Sequence, residues 1–135
     1  MHHLTLGVIA FVIFALLDAD WVGGLMGRFY TKELGPIGRI RNGHLAPRWG
    51  SVIFVYLLVA LGMVLFVFPV VETKAMSATF LFGCLYGLVL YGFYNAENYA
   101  FIENYSLKMT LFDFIWGIFA CGLTVLLTKL IVSFI

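Results

Sequence analysis

Charged side chains are what this chain has least of, at 11% of its 135 residues. A water-soluble domain needs a charged skin, and this sequence cannot supply one. The few charges nearly cancel, leaving a net +1. There is therefore no electrostatic footprint for nucleic acid. The two cysteines, Cys84 and Cys121, stand apart inside apolar runs. No Cys-x-x-Cys or Cys/His spacing accompanies them, which points to small buried hydrophobes and away from a metal or redox centre. No Lys or Arg precedes the first apolar stretch and no small-x-small site follows it, so a retained span is expected there, not a cleaved leader. Ser-His-Asp, His-x-x-x-His and phosphate-loop patterns are missing too.

What is present is hydrophobicity: 63% of the residues are apolar, with a mean hydropathy of +1.03. A helix needs roughly 20 apolar residues to cross about 30 Å of hydrocarbon. Four stretches qualify, over 4–26, 49–70 (ended by Pro69), 76–98 and 109–133. The fold class this implies is all-α: an integral membrane four-helix transmembrane bundle that takes up residues 1–135 as one domain, with the lipid bilayer as its surroundings. The longest connection, 28–48, carries Arg28, Lys32, Arg39, Arg41 and Arg48 against a single acid, Glu33. The positive-inside rule makes that loop cytoplasmic, and four spans then put both termini outside. Gly23-x-x-x-Gly27 in the first helix and Gly83-x-x-x-Gly87 in the third have the spacing that lets backbones approach. Tight packing within the bundle is expected of both pairs, with a homodimer as a further use of such faces.

The polar residues sit at one level. Leu4 to Leu17 covers only about 21 Å at 1.5 Å per residue, too short for the hydrocarbon. The first helix must therefore continue past Asp18, Asp20 and Trp21. The third helix ends in Tyr94-Asn95-Ala96-Glu97-Asn98, and Asp113 lies early in the fourth. Three helices thus bring carboxyl or amide groups to the cytoplasmic side of the bundle. Asp18 and Asp20 point about 200° apart, so only one of them can face the axis. Asp18 shares a face with Trp21, and Asp113 with Trp116. Two antiparallel helices thereby carry the same Asp-x-x-Trp. A carboxylate inside the membrane costs several kcal/mol, on the order of 3, unless it is paired or wet. Tyr91, Tyr94, Tyr99 and Tyr105 are candidate donors to it.

These residues resemble a bacterial family of small four-helix membrane proteins, domain-of-unknown-function family 2177. The resemblance rests on Asp18 and Trp21, Tyr30, Leu34-Gly35, Tyr56, Gly62 and Pro69. It continues through Gly83, Gly87, Tyr91 and Tyr94 to Asp113, Trp116 and Gly117. It covers about residues 16–120. The family's Tyr-Asp-Leu-Thr-Asn appears as Tyr94-Asn95-Ala96-Glu97-Asn98, so its acid is displaced by two positions, and a Trp-Pro before the fourth helix is replaced by Asn104-Tyr105-Ser106-Leu107. The resemblance implies the fold, the residue cluster and a bacterial inner membrane, and no reaction.

The functional expectation is a protein that binds or transports a small ligand or cation in an acidic and aromatic pocket of the cytoplasmic half. Asp18 and Asp113 would be its acceptors, Asn95, Glu97 and Asn98 its wall, and Trp21 and Trp116 its shaping residues. No catalytic residue, cofactor or metal is assigned. Two other readings share these residues: a structural or assembly subunit whose acids tie helices together, and a membrane enzyme acting on lipid or isoprenoid substrates with paired carboxylates as acid and base.

Overall fold

The computed structural model describes residues 2–135. Helix α1 covers His3–Ala19 and runs on as a π-helical turn, Asp20–Leu25. A short helix α2, Gly27–Leu34, and a two-stranded hairpin, β1 Ile40–Arg41 with β2 His44–Leu45, lead to α3, Trp49–Gly62. A second π-helical turn, Met63–Val67, joins α3 to α4, Phe68–Val71. Two long helices complete the chain, α5 Met76–Phe101 and α6 Leu107–Ser133. Four segments are long and apolar enough to cross a membrane: His3–Leu25, Trp49–Val71, Met76–Phe101 and Leu107–Ser133. Consecutive spans alternate in direction.

Each span buries one stripe and leaves large apolar side chains outward. On α1 the buried row is Leu6, Ala10 and Phe14, at four-residue steps, while Leu4, Val8, Val12 and Leu16 are exposed. Helical periodicity with apolar residues on both faces is what a span needs, because its outer face meets lipid. On α5 the row is Thr79, Gly83, Gly87 and Asn95. Its glycines press against α6: a Cβ on Gly83 would meet the Gly122 backbone at 2.8 Å, and one on Gly87 would run into the Gly117 carbonyl. Gly117 in turn makes room for the Tyr91 ring. That close approach makes α5 and α6 the most extensively packed pair.

The structure corrects several expectations. Gly23 and Gly24 are exposed and a Cβ on either would meet nothing, so the Gly23/Gly27 pair is no packing face within the bundle. Instead, Gly23 and its neighbour Gly24 fall inside the π turn, where the Met26 amide reaches back five residues to the Trp21 carbonyl at 2.8 Å; low helix propensity makes this the natural place for the ladder to widen. The 28–48 connection is not all loop. Asn42 and Gly43, with φ of 52° and 77°, form the tight turn of the hairpin, the left-handed pair that two-residue connections favour. Pro69 does not end its helix, which continues to Val71. The π turn just upstream accommodates the missing amide, and Pro69 sits at the start of α4, where that amide has no helical partner to lose. Finally, α6 begins at Leu107, capped by the Ser106 hydroxyl, which accepts from the Met109 amide at 3.1 Å.

Candidate functional site

The buried row of α1 continues one turn beyond Phe14 to Asp18. There the side chain meets α3 and α6. Tyr56 donates its hydroxyl to Asp18 Oδ2 at 2.8 Å, and Trp116 donates its indole Nε1 to Oδ1 at 3.2 Å. Tyr91 lies beside the same carboxylate from α5. Four helices therefore converge on one acid.

Asp113 has a matching arrangement. Tyr30, the one fully buried residue of α2, donates to Oδ1 at 2.8 Å, and Asn95 of α5 donates its Nδ2 to Oδ2 at 2.8 Å. Asn95 is held on its other side by the Tyr105 hydroxyl, which donates to Asn95 Oδ1 at 3.2 Å. The Trp21 indole donates to the Tyr30 oxygen at 3.1 Å. The two Asp-x-x-Trp pairs are thus cross-linked. Trp116 serves Asp18 directly, and Trp21 serves Asp113 through Tyr30. Between them the two indoles stack, ring centroids 4.3 Å apart and planes 3° from parallel.

A cavity of about 470 Å³ opens between the carboxylates. Its inner wall is Asp18, Asp113 and Tyr91; its loop-side floor is Tyr30, Leu34, Tyr105 and Met109. Val55, Leu58 and Val59 of α3 face Tyr86, Leu90 and Tyr94 of α5 across the remaining side. Among the described residues, no Lys, Arg or His lines it. The floor is closed by a small apolar cluster in which Tyr30, Tyr105 and Met109 pack with Phe29, Leu34 and Leu45. Helix α2 is tied down there by Glu33, which accepts from the Ser106 hydroxyl at 3.0 Å. Burial, with the Asp113 charge adding to it, pushes the Tyr30 phenol well above the usual tyrosine range. Burial is also the main reason why Tyr105 is pushed up to about 12. Both remain hydrogen-bond donors at neutral pH.

Of the residues singled out from the sequence, Asp18, Trp21, Asn95, Asp113 and Trp116 form one connected network. Asn98 is half-buried next to Tyr94 and Tyr105 at its edge. Glu97 is exposed and outside the cavity, as is Asp20. Two helical positions beyond Asn95, Glu97 necessarily faces away from it. Tyr99 is also exposed and serves neither acid. The donors that do serve them include Tyr30 and Tyr56, which carried no donor role in the sequence. Each is separated by a long stretch of chain from the acid it serves. Among the described residues, no three His, Cys, Asp or Glu side chains gather as metal ligands would.

A family model described as "Predicted membrane protein (DUF2177)" matches residues 3–130 of the chain. No curated protein and no solved structure matches it.

Proposed function

We propose, from the premise that the chain belongs to the DUF2177 family of predicted membrane proteins, that it binds a small ligand or cation in the chamber between Asp18 and Asp113. One observation carries this reading. Two carboxylates from antiparallel helices line a single cavity of about 470 Å³ that contains no basic side chain. That volume falls within the roughly 300–1,000 Å³ typical of small-molecule sites. Each carboxylate has a hydrogen-bond donor on each oxygen, so both are oriented and their charge remains uncompensated by any protein cation lining the chamber. A cationic or donor-rich ligand supplies what is missing. With the basic 28–48 connection on the cytoplasmic side, the chamber lies in the cytoplasmic half of the membrane. Movement of the ligand across the membrane would be a further property of the same site.

A second reading has its own support. The donors to Asp18 and Asp113 come from the second, third and fourth spans and from α2, while Asp18 itself belongs to the first, so these acids also tie the bundle together, as an assembly subunit would require. Thermal unfolding in mild detergent separates the two. A ligand that binds the folded state raises Tm according to its concentration over Kd. A panel of inorganic cations and organic amines should contain members that raise Tm of the wild type but not of Asp113→Asn. A lower Tm in Asp18→Asn and Asp113→Asn, with no panel member acting on the wild type, would favour the structural role.

A further inference from the structure

The chamber's openings say where its ligand comes from. Toward the loop end α2 lies across it, with Tyr30 and Leu34 packed against Tyr105 and Met109. Deeper in the bundle it is closed where α5 is pinned to α3: the Tyr86 hydroxyl donates to the Val59 carbonyl at 2.9 Å and fits against Gly62, whose missing side chain leaves it room. Beyond that pin the second span packs on α5 through its Met63–Val71 stretch. On the loop side of it the two helices part, and the gap is flanked by Val55 and Leu58 on one side and Leu90 and Tyr94 on the other. Val55 and Leu58 are 50% and 49% exposed. At 1.5 Å per residue, Leu58 lies about 14 Å inside its span and Leu90 about 17 Å inside its own. That is mid-membrane depth in a hydrocarbon layer of about 30 Å. The gap therefore faces lipid tails.

We infer that the cavity between α3 and α5 receives a lipid-soluble organic cation sideways from the membrane, an alkylammonium whose chain lies in the Val55/Leu58–Leu90/Tyr94 gap and whose head reaches Asp18 and Asp113. This rests on the proposed binding function and adds the ligand class and the route. The head group follows from the inner wall. Two carboxylates without a protein cation face a space walled by the rings of Tyr30, Tyr86, Tyr91 and Tyr94. Aromatic faces attract ammonium groups at short range. An inorganic divalent ion would need about six oxygen ligands, and the oxygens here are few and already hydrogen-bonded. The tail follows from the mouth, whose four residues offer no charge and only one hydroxyl. A ligand of this class already partitions into the bilayer and needs no aqueous path.

The test uses the full chain in phospholipid nanodiscs, with radiolabelled decyltrimethylammonium as probe and empty nanodiscs subtracted. Tetramethylammonium (head without tail) and decanoate (tail without positive head) serve as competitors. Saturable binding is expected, with each competitor at least tenfold weaker than unlabelled probe. Leu58→Trp, a substitution at an exposed position that narrows the mouth, should weaken probe binding about tenfold, and Asp113→Asn should abolish it. If tetramethylammonium binds as well as the probe and Leu58→Trp is without effect, a cation pocket stands but lateral entry is overturned. If decanoate competes equally, the ammonium specificity is overturned. If neither ammonium ion binds saturably, this inference falls, and the pocket reading falls with it only if no inorganic cation of the thermal-unfolding panel raises Tm of the wild type either.

Discussion

The indoles of Trp21 and Trp116 stack 4.3 Å apart and 3° from parallel, and each hands its N–H to the other half of the site. Trp116 from the last helix bonds Asp18 on the first, while Trp21 from the first acts through Tyr30 on Asp113 of the last. The stack is thus the hinge pin of a cross-linked pair of carboxylates. An aromatic pair of this kind is worth about 0.5–1.5 kcal/mol beyond its buried area. Trp21→Ala, Trp116→Ala and the double variant should show a coupling of about that size in a thermodynamic cycle of unfolding in detergent. Strict additivity would remove the stack from the account.

Asp18 receives a hydroxyl on one oxygen and an indole N–H on the other. Asparagine there would aim its own N–H₂ at one of these donors. Asp18→Asn should therefore cost about 1–3 kcal/mol, the penalty for an unsatisfied buried donor. Asp113→Asn should cost about as much, since Tyr30 and Asn95 both donate to it. Tyr56→Phe, which removes one bond and leaves Asp18 its indole donor, should cost nearer 0.6 kcal/mol, the average for a hydrogen bond between membrane helices. Glu97→Gln and Asp20→Asn, at exposed positions, should leave unfolding unchanged.

These contrasts also mark how far the sequence could be read. Four spans were legible because hydropathy and length suffice for them, and so was the shared depth of Asp18, Asn95 and Asp113, which follows from counting residues along helices. Glu97 shares that depth but does not line the cavity, because depth says nothing about azimuth: a shift of two positions from Asn95 rotates it to another face. Tyr30 and Tyr56 could not be paired with their acids because their separations, 83 residues for Tyr30–Asp113 and 38 for Tyr56–Asp18, leave no trace in local pattern. The hairpin does have a local signal: Ile40-Arg41-Asn42-Gly43-His44-Leu45 holds an Asn-Gly turn flanked by residues able to pair. The two glycine pairs show the limit of a spacing rule. Gly83 and Gly87 face a neighbouring backbone, whereas Gly23 faces open space.

The glycines give a second stability test. A methyl on Gly87 or Gly117 would collide with the Gly117 carbonyl or the Tyr91 ring. Gly87→Ala and Gly117→Ala should each destabilise by about 1–3 kcal/mol through overpacking. Gly117→Ala should also disturb the site, because the Tyr91 ring it displaces stands beside Asp18. Gly23→Ala should be neutral or slightly stabilising, measured by the same unfolding assay. A destabilisation by Gly23→Ala that grows weaker on dilution would reveal a self-association face.

High pH should act on the floor of the chamber. Tyr105 is pushed up to about 12 and Tyr30 is raised further, chiefly by burial. An unfolded tyrosine ionises near 10. Between these values the unfolded chain releases protons that the folded chain keeps, so stability is complete below about pH 10 and falls as pH climbs beyond it. Unfolding measured from pH 8 to 12 should be flat and then decline. Tyr30→Phe should soften the decline, and an unchanged curve would place Tyr30 outside the buried cluster.

The most direct measurement of the central claim is native mass spectrometry of the protein released from native nanodiscs, wild type beside Asp18→Asn and Asp113→Asn. The account predicts a reproducible adduct with the mass of an amphiphilic amine or ammonium compound on the wild type, lost or strongly reduced in both variants. A clean ligand-free mass in the wild type, or an adduct that survives both substitutions, would contradict a binding role for the two carboxylates.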